Sequence, residues 1–245
     1  MSRPPAAPCP PAARCAGAPS EAAVARLLLE LGSRLSRGAL PAEPRACLPT
    51  GLPAIDRLLG GGFPRGRLSE IAGPFSSGRT SVALALLARA TAAEEVCAFV
   101  DAADGLDPAS AEAAGVALER LLWARPAPER GLGPALRGAE RLLEASGFAL
   151  VLLDPGARGG EISQAAWMRL ARAAAGSGTA LVVLSRRRAA GAQAEVALEM
   201  GSLRASFGGT PALLEALEIE AVLARHRAAP PERSAVLRLD ASQAA

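Results

Sequence analysis

A glycine-containing loop constrains this chain more than any other feature of the sequence. The loop, Gly-Pro-Phe-Ser-Ser-Gly-Arg-Thr-Ser over residues 73–81, follows the apolar run Leu68–Ala72 and opens an alanine- and leucine-rich stretch, Thr80–Ala90. Its spacing is that of the phosphate-binding pattern G-x-x-x-x-G-K-[ST], with Arg79 at the lysine position. Glycines let successive backbone N–H groups face an anion, and a helix N-terminus adds partial positive charge. The sequence therefore predicts a strand, a phosphate-binding loop and a helix, in that order.

The length and composition of the chain limit the size of the domain and affect the interpretation of Arg79. The chain has 245 residues, of which 50% are hydrophobic, so it is long enough for one α/β domain with its own core. All 27 basic residues are arginine. Arg79 therefore has two interpretations, compositional drift in a chain without lysine or a change in function. A planar guanidinium does not replace a compact ammonium without adjustment of its surroundings.

Charge and cysteine usage narrow the class of protein. A net charge of +3 permits contact with nucleic acid but does not argue for it. Four cysteines (Cys9, Cys15, Cys47 and Cys97) without C-x-x-C spacing, and a single histidine, His226, predict that zinc is not bound. No apolar run reaches the roughly 18 residues of a membrane span, and the N-terminus has no signal-peptide core. We expect a cytoplasmic protein that does not contact membranes.

The two ends of the chain differ from its centre. Residues 1–19 are rich in proline and alanine and are predicted to be a disordered tail, and residues 241–245 a short C-terminal tail. Residues 20–38 are predicted to form an amphipathic helix outside the core domain, which spans residues 39–240. The helix either packs on its own domain or docks on a neighbouring subunit or partner. Its N-cap is Ser20, Gly38 ends it, and its apolar stripe comprises Val24, Leu27, Leu28, Leu31 and Leu35.

The core alternates between strand-like and helix-like segments after the phosphate-binding loop. This alternation predicts a parallel sheet with helices on both faces, and three later strand-like runs predict an antiparallel extension. Ligands of such sheets bind at the carboxyl ends of the strands, where Ser76, Asp101, Asp154 and Ser185 fall. The predicted strands are Leu68–Ala72, Val96–Asp101, Phe148–Leu153, Thr179–Leu184, Ser202–Phe207, Leu217–Ala224 and Ser234–Leu239, and the predicted helices are Pro53–Leu59, Thr80–Ala90, Pro108–Ala114, Leu132–Ser146 and Glu161–Ala175.

Asp154 is the candidate metal-binding carboxylate. It ends a continuous apolar strand, as does the Walker B aspartate that holds Mg²⁺ in phosphate-binding loop proteins, and the hydroxyl of Thr80 is the expected second ligand. The alternative is a plain aspartate at the end of a strand.

Three consecutive arginines, Arg186, Arg187 and Arg188, follow the strand Thr179–Leu184. They have two interpretations, contact with phosphate or DNA, or a solvated loop.

Several motifs together resemble the ATPase core of RecA recombinases. They cover the region from Ser20 to Leu239, closely as far as Pro108 and more loosely beyond it. The resemblance implies a RecA-like fold and an ATP site with Mg²⁺ at Thr80 and Asp154. It also implies nucleotide contacts from Gly73, Pro74, Ser76, Ser77, Gly78, Arg79, Thr80, Ser81 and Asp107, the last of these to adenine. The matching motifs are Thr50-Gly51 with Ile55-Asp56, Gly60-Gly61-Gly62, Gly66-Arg67, Glu70-Ile71, Gly73–Gly78, Cys97–Ala102, Leu106–Pro108 and the late run Val222–Pro230.

The departures from the family pattern concern catalysis and DNA contact. The catalytic glutamate of the family, two residues after the aspartate, is here Ala103. Asp104 is the neighbouring candidate for that role, although a shift of one residue re-aims the side chain. The pair that senses the terminal phosphate is Ser185-Arg186, and the two DNA-binding loops are shortened to Pro155–Gly160 and Arg187–Gln193.

This profile is similar to the ImuA group, short RecA-related accessory proteins of bacterial SOS mutagenesis. The resemblance implies weak or absent ATP hydrolysis. It also implies a protein partner, a RecA-like protomer or a translesion polymerase subunit, bound through residues 20–38. Single-stranded DNA remains a candidate ligand. The alternative is an active DNA-dependent ATPase of the RecA class, in which Arg79 and Asp104 substitute for the missing groups.

Overall fold

The computed structural model describes residues 46–127, 131–156, 160–227 and 233–240. The chain divides into two units, Met1–Glu43 and Pro44–Ala245, and the described residues belong to the second. The predicted helix over residues 20–38 and the predicted tails lie outside the described residues.

The described elements follow the predicted alternation. In chain order the helices are α1 (Pro53–Leu59), α2 (Arg79–Ala92), α3 (Pro108–Ala113), α4 (Gly133–Ala145) and α5 (Gln164–Ser177). The strands are β1 (Cys47–Leu48), β2 (Phe63–Pro64), β3 (Leu68–Ala72), β4 (Cys97–Asp101), β5 (Leu121–Ala124), β6 (Leu150–Asp154), β7 (Ala180–Ser185), β8 (Val196–Gly208), β9 (Leu213–His226) and β10 (Arg233–Asp240).

One eight-stranded sheet organises the domain. Its strand order is β10-β9-β8-β3-β7-β6-β4-β5. The six strands from β8 to β5 pair in parallel, and β9 and β10 add an antiparallel extension. The predicted fold class, a mostly parallel twisted sheet with helices on both faces and an antiparallel extension, is confirmed. Among the described residues, no helix is long and apolar enough to cross a membrane.

Two apolar clusters cover the two faces of the sheet. On β4, Cys97 and Phe99 pack in one cluster with α1 and α2, whereas Ala98 and Val100 pack in the other with α4 and α5. The same alternation holds along β6. Because both faces are buried, the central strands are continuous apolar runs, as parallel sheets require. The phosphate-binding loop leaves this core at the end of β3.

The structure differs from the sequence prediction mainly at element ends. The strand predicted from Ser202 begins at Val196, because residues of β8 from Val196 to Glu199 pair with β3. Helix α5 begins at Gln164 and not at Glu161, since the hydroxyl of Ser163 accepts the N–H of Ala166 and caps it. Neither change moves the strand ends at which the candidate site lies.

Candidate functional site

The carboxyl ends of β3, β4, β6 and β7 meet at one edge of the sheet. The N–H of Gly73 donates to the carbonyl of Ser185 at 3.0 Å, which ties the phosphate-binding loop to the end of β7. Asp101 and Asp154 are neighbours in the register of β4 and β6, and the N–H of Ala102 donates to the carbonyl of Asp154 at 2.9 Å. The four side chains predicted for this edge, on Ser76, Asp101, Asp154 and Ser185, are therefore gathered there.

The phosphate-binding loop has backbone dihedral angles that suit an anion-binding turn. Ser76 and Gly78 both have positive φ values, 59° and 80°. Turns that include such left-handed residues can bring successive backbone N–H groups around an anion. A Cβ at Gly73 would lie 2.4 Å from Ser77 Oγ and 3.0 Å from the carbonyl oxygen of Met200, so a side chain there would displace Ser77 and crowd the backbone of β8. Gly78 is the N-cap of α2 and supplies no side chain, which leaves the first N–H groups of the helix available to an anion.

Ser77 is a further sign of a polar ligand at this loop. The residue is 1% exposed, and none of the described residues supplies a hydrogen-bond partner for its Oγ. An unpaired buried hydroxyl costs about 1–3 kcal/mol, which a bound anion or water would recover. Pro74, Ser76, Thr80 and Ser81 are exposed around it.

Arg79 spans the mouth of the loop. Its Nη1 donates to the carbonyl of Gly73 at 2.8 Å and to the carbonyl of Ser185 at 3.1 Å. Its guanidinium carbon also lies 5.5 Å from the centre of the Phe75 ring. A guanidinium carries five N–H donors in a fixed fork, so Nε and Nη2 add further donors to the two N–H groups of Nη1, which contacts the carbonyls of Gly73 and Ser185. Arg79 can therefore serve as the phosphate-binding cation of this loop.

Asp154 fits a metal-binding role better than its neighbour on β4. Its Oδ1 accepts the N–H of Gly156 at 2.8 Å. Burial raises the pKa of Asp154 above its ordinary value, while that N–H and the positive charge of Arg79 pull it back in part. The exposed hydroxyl of Thr80 and this carboxylate are oxygen donors of the kind that Mg²⁺ prefers, and they are the residues that would hold the ion. Among the described residues, no three or more His, Cys, Asp or Glu side chains gather as a metal site.

Asp101 stabilises the loop that follows β4. It is 1% exposed, and its carboxylate accepts the N–H groups of Ala103, Gly105 and Leu106 at 3.1, 2.9 and 2.9 Å. The indole N–H of Trp123 donates to it as well, at 3.3 Å. One carboxylate accepts all four of these hydrogen bonds. Asp101 therefore positions the segment that follows β4 and is engaged by contacts within the protein.

Asp104, the candidate catalytic base, is held by Arg125. Two hydrogen bonds join the pair, Nε to Oδ1 at 2.6 Å and Nη2 to Oδ2 at 2.8 Å. The Arg125 guanidinium stacks 4.5 Å from the centre of the Trp123 ring, which fixes the pair at the end of β5. The hydrogen bond from Arg125 lowers the pKa of Asp104, so its carboxylate is a weaker proton acceptor than an ordinary aspartate.

Asp107, the predicted adenine contact, caps α3. Its carboxylate accepts the N–H of Ser110 at 3.0 Å and the hydroxyl of Ser110 at 2.5 Å. These hydrogen bonds lower the pKa of Asp107. The side chain remains exposed, so its capping role leaves one edge of the carboxylate open to solvent.

The three arginines after β7 line a cavity beside the phosphate-binding loop. The cavity has a volume of about 480 Å³ and also borders Asp154 and the buried Trp167. The guanidinium carbon of Arg186 lies 4.7 Å from the centre of the Phe75 ring, and Arg188 pairs with Glu199 at 3.5 Å. The structure thus brings Arg79, Asp154 and the three arginines together around one space.

Glu70 is the positioning residue that sequence reasoning missed. It is 1% exposed within β3, and its carboxylate accepts the hydroxyl of Ser185 at 2.8 Å and the N–H groups of Ala189 and Ala190 at 2.8 and 3.3 Å. The available signal was a carboxylate inside an otherwise apolar run, because a buried charge needs partners. The sequence did not indicate that those partners lie more than a hundred residues later.

A parallel sheet with a phosphate-binding loop at its carboxyl edge defines the class of P-loop α/β proteins. The chain matches the RecA N-terminal domain over residues 31–160, and it belongs to that family. It is 44% identical over 109 residues to Protein RecA of Picosynechococcus sp. (strain ATCC 27264 / PCC 7002 / PR-6), a match that covers 44% of this chain and 30% of the relative. It is 42% identical over 124 residues to Protein RecA of Cutibacterium acnes, covering 50% of this chain and 35% of the relative.

The comparison with solved structures agrees with the family at the level of fold. The chain resembles the crystal structure of the RadB recombinase with a TM-score of 0.62 and 22% sequence identity, over 78% of this chain and 95% of that one. The match to the curated relatives spans about a third of their length. The comparisons therefore establish the family and the fold of this chain, and a role in DNA repair or recombination is an inference from them.

Proposed function

We propose that this chain is a nucleotide-binding RecA-family protein that acts as an accessory factor in bacterial DNA repair, with weak or absent ATP hydrolysis. The observation that supports the proposal most strongly concerns Asp104, the carboxylate next in sequence to the missing glutamate position at Ala103. It is engaged in two hydrogen bonds with Arg125, while the phosphate-binding loop has the positive φ values, at Ser76 and Gly78, that suit an anion-binding turn.

The nucleotide would bind through the loop and its helix. Its phosphates would lie against the N–H groups of residues 73–81 and the guanidinium of Arg79. When bound, Mg²⁺ would offset phosphate charge, with Thr80 and Asp154 as its protein ligands. An apolar cavity of about 210 Å³, lined by Leu52, Val82, Ile219 and other residues, adjoins Gly78 and Ser81. It offers a surface for the base.

Slow hydrolysis follows from the lack of a general base. Removing such a group typically lowers the rate by about 10²–10⁴-fold. The ion pair with Arg125 keeps Asp104 at the end of β5 and lowers its pKa, both of which oppose proton abstraction. Recruiting Asp104 would require breaking that pair.

The function would then depend on binding partners. We assign protein capture to the amphipathic segment 20–38, as in the ImuA-type proteins of SOS-linked translesion synthesis, in the bacterial cytoplasm. The exposed Arg186, Arg187 and Arg188 would provide contacts to single-stranded DNA. The amphipathic sequence of residues 20–38 supports protein capture, and the positive charge of the cavity supports contact with DNA.

Calorimetric titration of the purified protein with Mg-ATP tests nucleotide binding. We expect Arg79→Ala to weaken binding by about 10- to 100-fold, because a charge-assisted hydrogen bond contributes about 1.5–3 kcal/mol. Arg89→Ala is the matched control, since Arg89 lies exposed near the far end of the same helix. Absence of binding by the unmodified protein, or equal binding by Arg79→Ala, would refute the proposal.

A further inference from the structure

We propose that the nucleotide site of this chain takes purine nucleotides without selecting between adenine and guanine. The inference rests on the proposed function, because it names the class of ligand that the same site accepts. It concerns the apolar cavity of about 210 Å³ beside the phosphate-binding loop, which we call the base cavity. Its walls act on a base through shape and apolar contact, and they lack the fixed donors and acceptors that selection between the two purines requires.

The base cavity adjoins the first turn of α2, against which the phosphates would lie. Its border includes Gly78 and Ser81 of that turn and Ala114, which follows α3. Strand β9 closes it from the other side, since a Cβ on Gly78 would lie 2.4 Å from Cδ1 of Ile219. The cavity therefore lies where a base attached to those phosphates would reach. Its aliphatic lining comprises Leu52, Val82, Leu84, Ala85, Ile219 and Leu237.

The walls of the base cavity belong to the protein core. Val82, Ile219 and Leu237 are buried in the apolar cluster on this face of the sheet, and Leu52 and Leu84 pack against that cluster. Because protein interiors are close-packed, walls of this kind keep their shape. The cavity is smaller than the roughly 300–1,000 Å³ of pockets for drug-sized ligands, so it suits a single ring system.

The backbone of these walls is already engaged within the protein. The N–H of Val82 donates to the carbonyl of Gly78 at 3.0 Å, and Ile219 lies on a strand that pairs on both sides, with β8 and with β10. The N–H of Leu52 donates to the hydroxyl of Thr50 at 3.1 Å. These backbone groups are therefore not available to read the edge of a base.

Ser81 supplies a hydroxyl that suits both purines. Among the described residues that line the base cavity, it alone carries a polar side chain. A hydroxyl both donates and accepts, so its rotation meets either the amino group of adenine or the carbonyl oxygen of guanine. An apolar pocket separates similar ligands weakly, whereas a site built to hydrogen-bond one group rejects an analogue without it by about 10⁴–10⁵-fold.

Asp107 is separated from the base cavity by the length of α3. The family resemblance implies that this residue contacts adenine, yet it caps the start of α3, whereas the cavity borders Ala114 beyond the end of that helix. A helix of six residues is about 9 Å long. A base in the cavity therefore lies at the opposite end of α3 from Asp107, and the carboxylate does not select it.

Calorimetric titration of the full chain with Mg-ATP, Mg-GTP and Mg-UTP tests the selectivity, with magnesium tripolyphosphate as the probe of the phosphate-binding loop alone. We expect the dissociation constants of ATP and GTP to agree within about threefold. UTP should bind about three- to tenfold more weakly than ATP, and tripolyphosphate about tenfold or more, because each covers less of the apolar wall. A preference of more than about tenfold between ATP and GTP would overturn the inference. Tripolyphosphate that binds as tightly as ATP would also overturn it.

Ala85→Leu tests whether the base lies in this cavity. Ala85 is half-buried on α2, and the larger side chain would take the space of the base. We expect ATP and GTP to lose affinity together, by about five- to twentyfold, while tripolyphosphate keeps its affinity. Ala165→Leu is the matched control, because Ala165 is exposed on α5 and does not line the cavity. Unchanged nucleotide affinity in Ala85→Leu, or an equal loss for tripolyphosphate, would contradict the inference.

The titrations of the unmodified protein decide the question of selectivity even if Ala85→Leu does not fold. None of the contradicting outcomes removes binding of Mg-ATP or its dependence on Arg79. A failure here is therefore distinguishable from a failure of the proposed function, which would appear as no binding of Mg-ATP or as equal binding by Arg79→Ala.

Discussion

Three aspartates at the carboxyl edge of the sheet differ in what surrounds their carboxylates. Asp101 is buried and accepts hydrogen bonds from three backbone N–H groups and from the indole of Trp123. Asp104 is exposed and paired with Arg125, and Asp154 accepts the N–H of Gly156 beside Arg79. Identical side chains therefore differ in role because of their neighbours: Asp101 is structural, Asp104 is ion-paired, and Asp154 is the one proposed to bind a ligand.

Substitution of Asp101 by alanine should destabilise the domain strongly. It leaves three backbone N–H groups near the end of β4 without their acceptor, each at a cost of about 1–3 kcal/mol. We expect the free energy of unfolding in urea to fall by about 3 kcal/mol or more. The control, Asp104→Ala, should change it far less, because that ion pair is exposed. Equal effects of the two substitutions would show that Asp101 does not organise the loop.

Cys97 gives a prediction about pH. Burial raises the pKa of its thiol to about 12, with the charge of Glu95 adding to the rise and that of Arg65 opposing it. The folded state therefore keeps the proton at a pH where the unfolded state loses it, and stability falls as pH rises from the ordinary thiol range toward 12. Urea unfolding of Cys97→Ala should show a shallower fall over that range. An unchanged slope would contradict the buried thiol.

At the scale of elements, the sequence predicts what depends on local pattern. Continuous apolar runs located β3, β4, β6 and β7, and glycine spacing located the turn into α2. Local pattern did not predict the side-chain contacts between strands and loops that are distant in sequence. The Glu70 carboxylate accepts the N–H of Ala189, and Arg125 pairs with Asp104. Both pairs are too far apart in sequence for a local pattern to indicate them. The placement of the site residues at one edge could be predicted, because the ends of the strands could be predicted. The roles of Asp101 and Asp104 could not, because they depend on long-range partners.

The turn between α1 and β2 provides a test of element packing. A Cβ on Gly62 would lie 2.2 Å from the carbonyl oxygen of Leu48, and its φ of +130° disfavours other residues. We expect Gly62→Ala to lower the free energy of unfolding by about 3 kcal/mol or more. Gly60→Ala is the control, since its φ is +75° with open space around it, and should cost about 1 kcal/mol. Equal costs in urea denaturation would contradict the close approach of β1.

At the scale of the whole molecule, the described core is built between Leu48 and Leu237. The two apolar clusters on the faces of the sheet draw on α1, α2, α4 and α5 and on the central strands. The predicted docking helix, residues 20–38, precedes the first of these elements in the chain. Folding of the core and capture of a partner are therefore separable in principle.

Deletion of Met1–Gly38 should separate these two properties. We expect the truncated protein to unfold cooperatively with a midpoint close to that of the full chain. If residues 20–38 dock on a second copy or a polymerase subunit, the truncated protein should lose that association in sedimentation experiments. Association that persists after truncation would place the docking surface elsewhere, and an unfolded product would show that the segment belongs to the core.

The rate of ATP hydrolysis distinguishes an accessory nucleotide-binding protein from an active ATPase. It would be measured for the purified chain with and without single-stranded DNA, beside Arg79→Ala. Because the family resemblance implies that Ala103 stands in place of the base, and because Asp104 is paired with Arg125, we predict no turnover above that of the variant and no stimulation by DNA. Turnover that rises with DNA and disappears in Arg79→Ala would contradict the proposed accessory role and identify an active DNA-dependent ATPase.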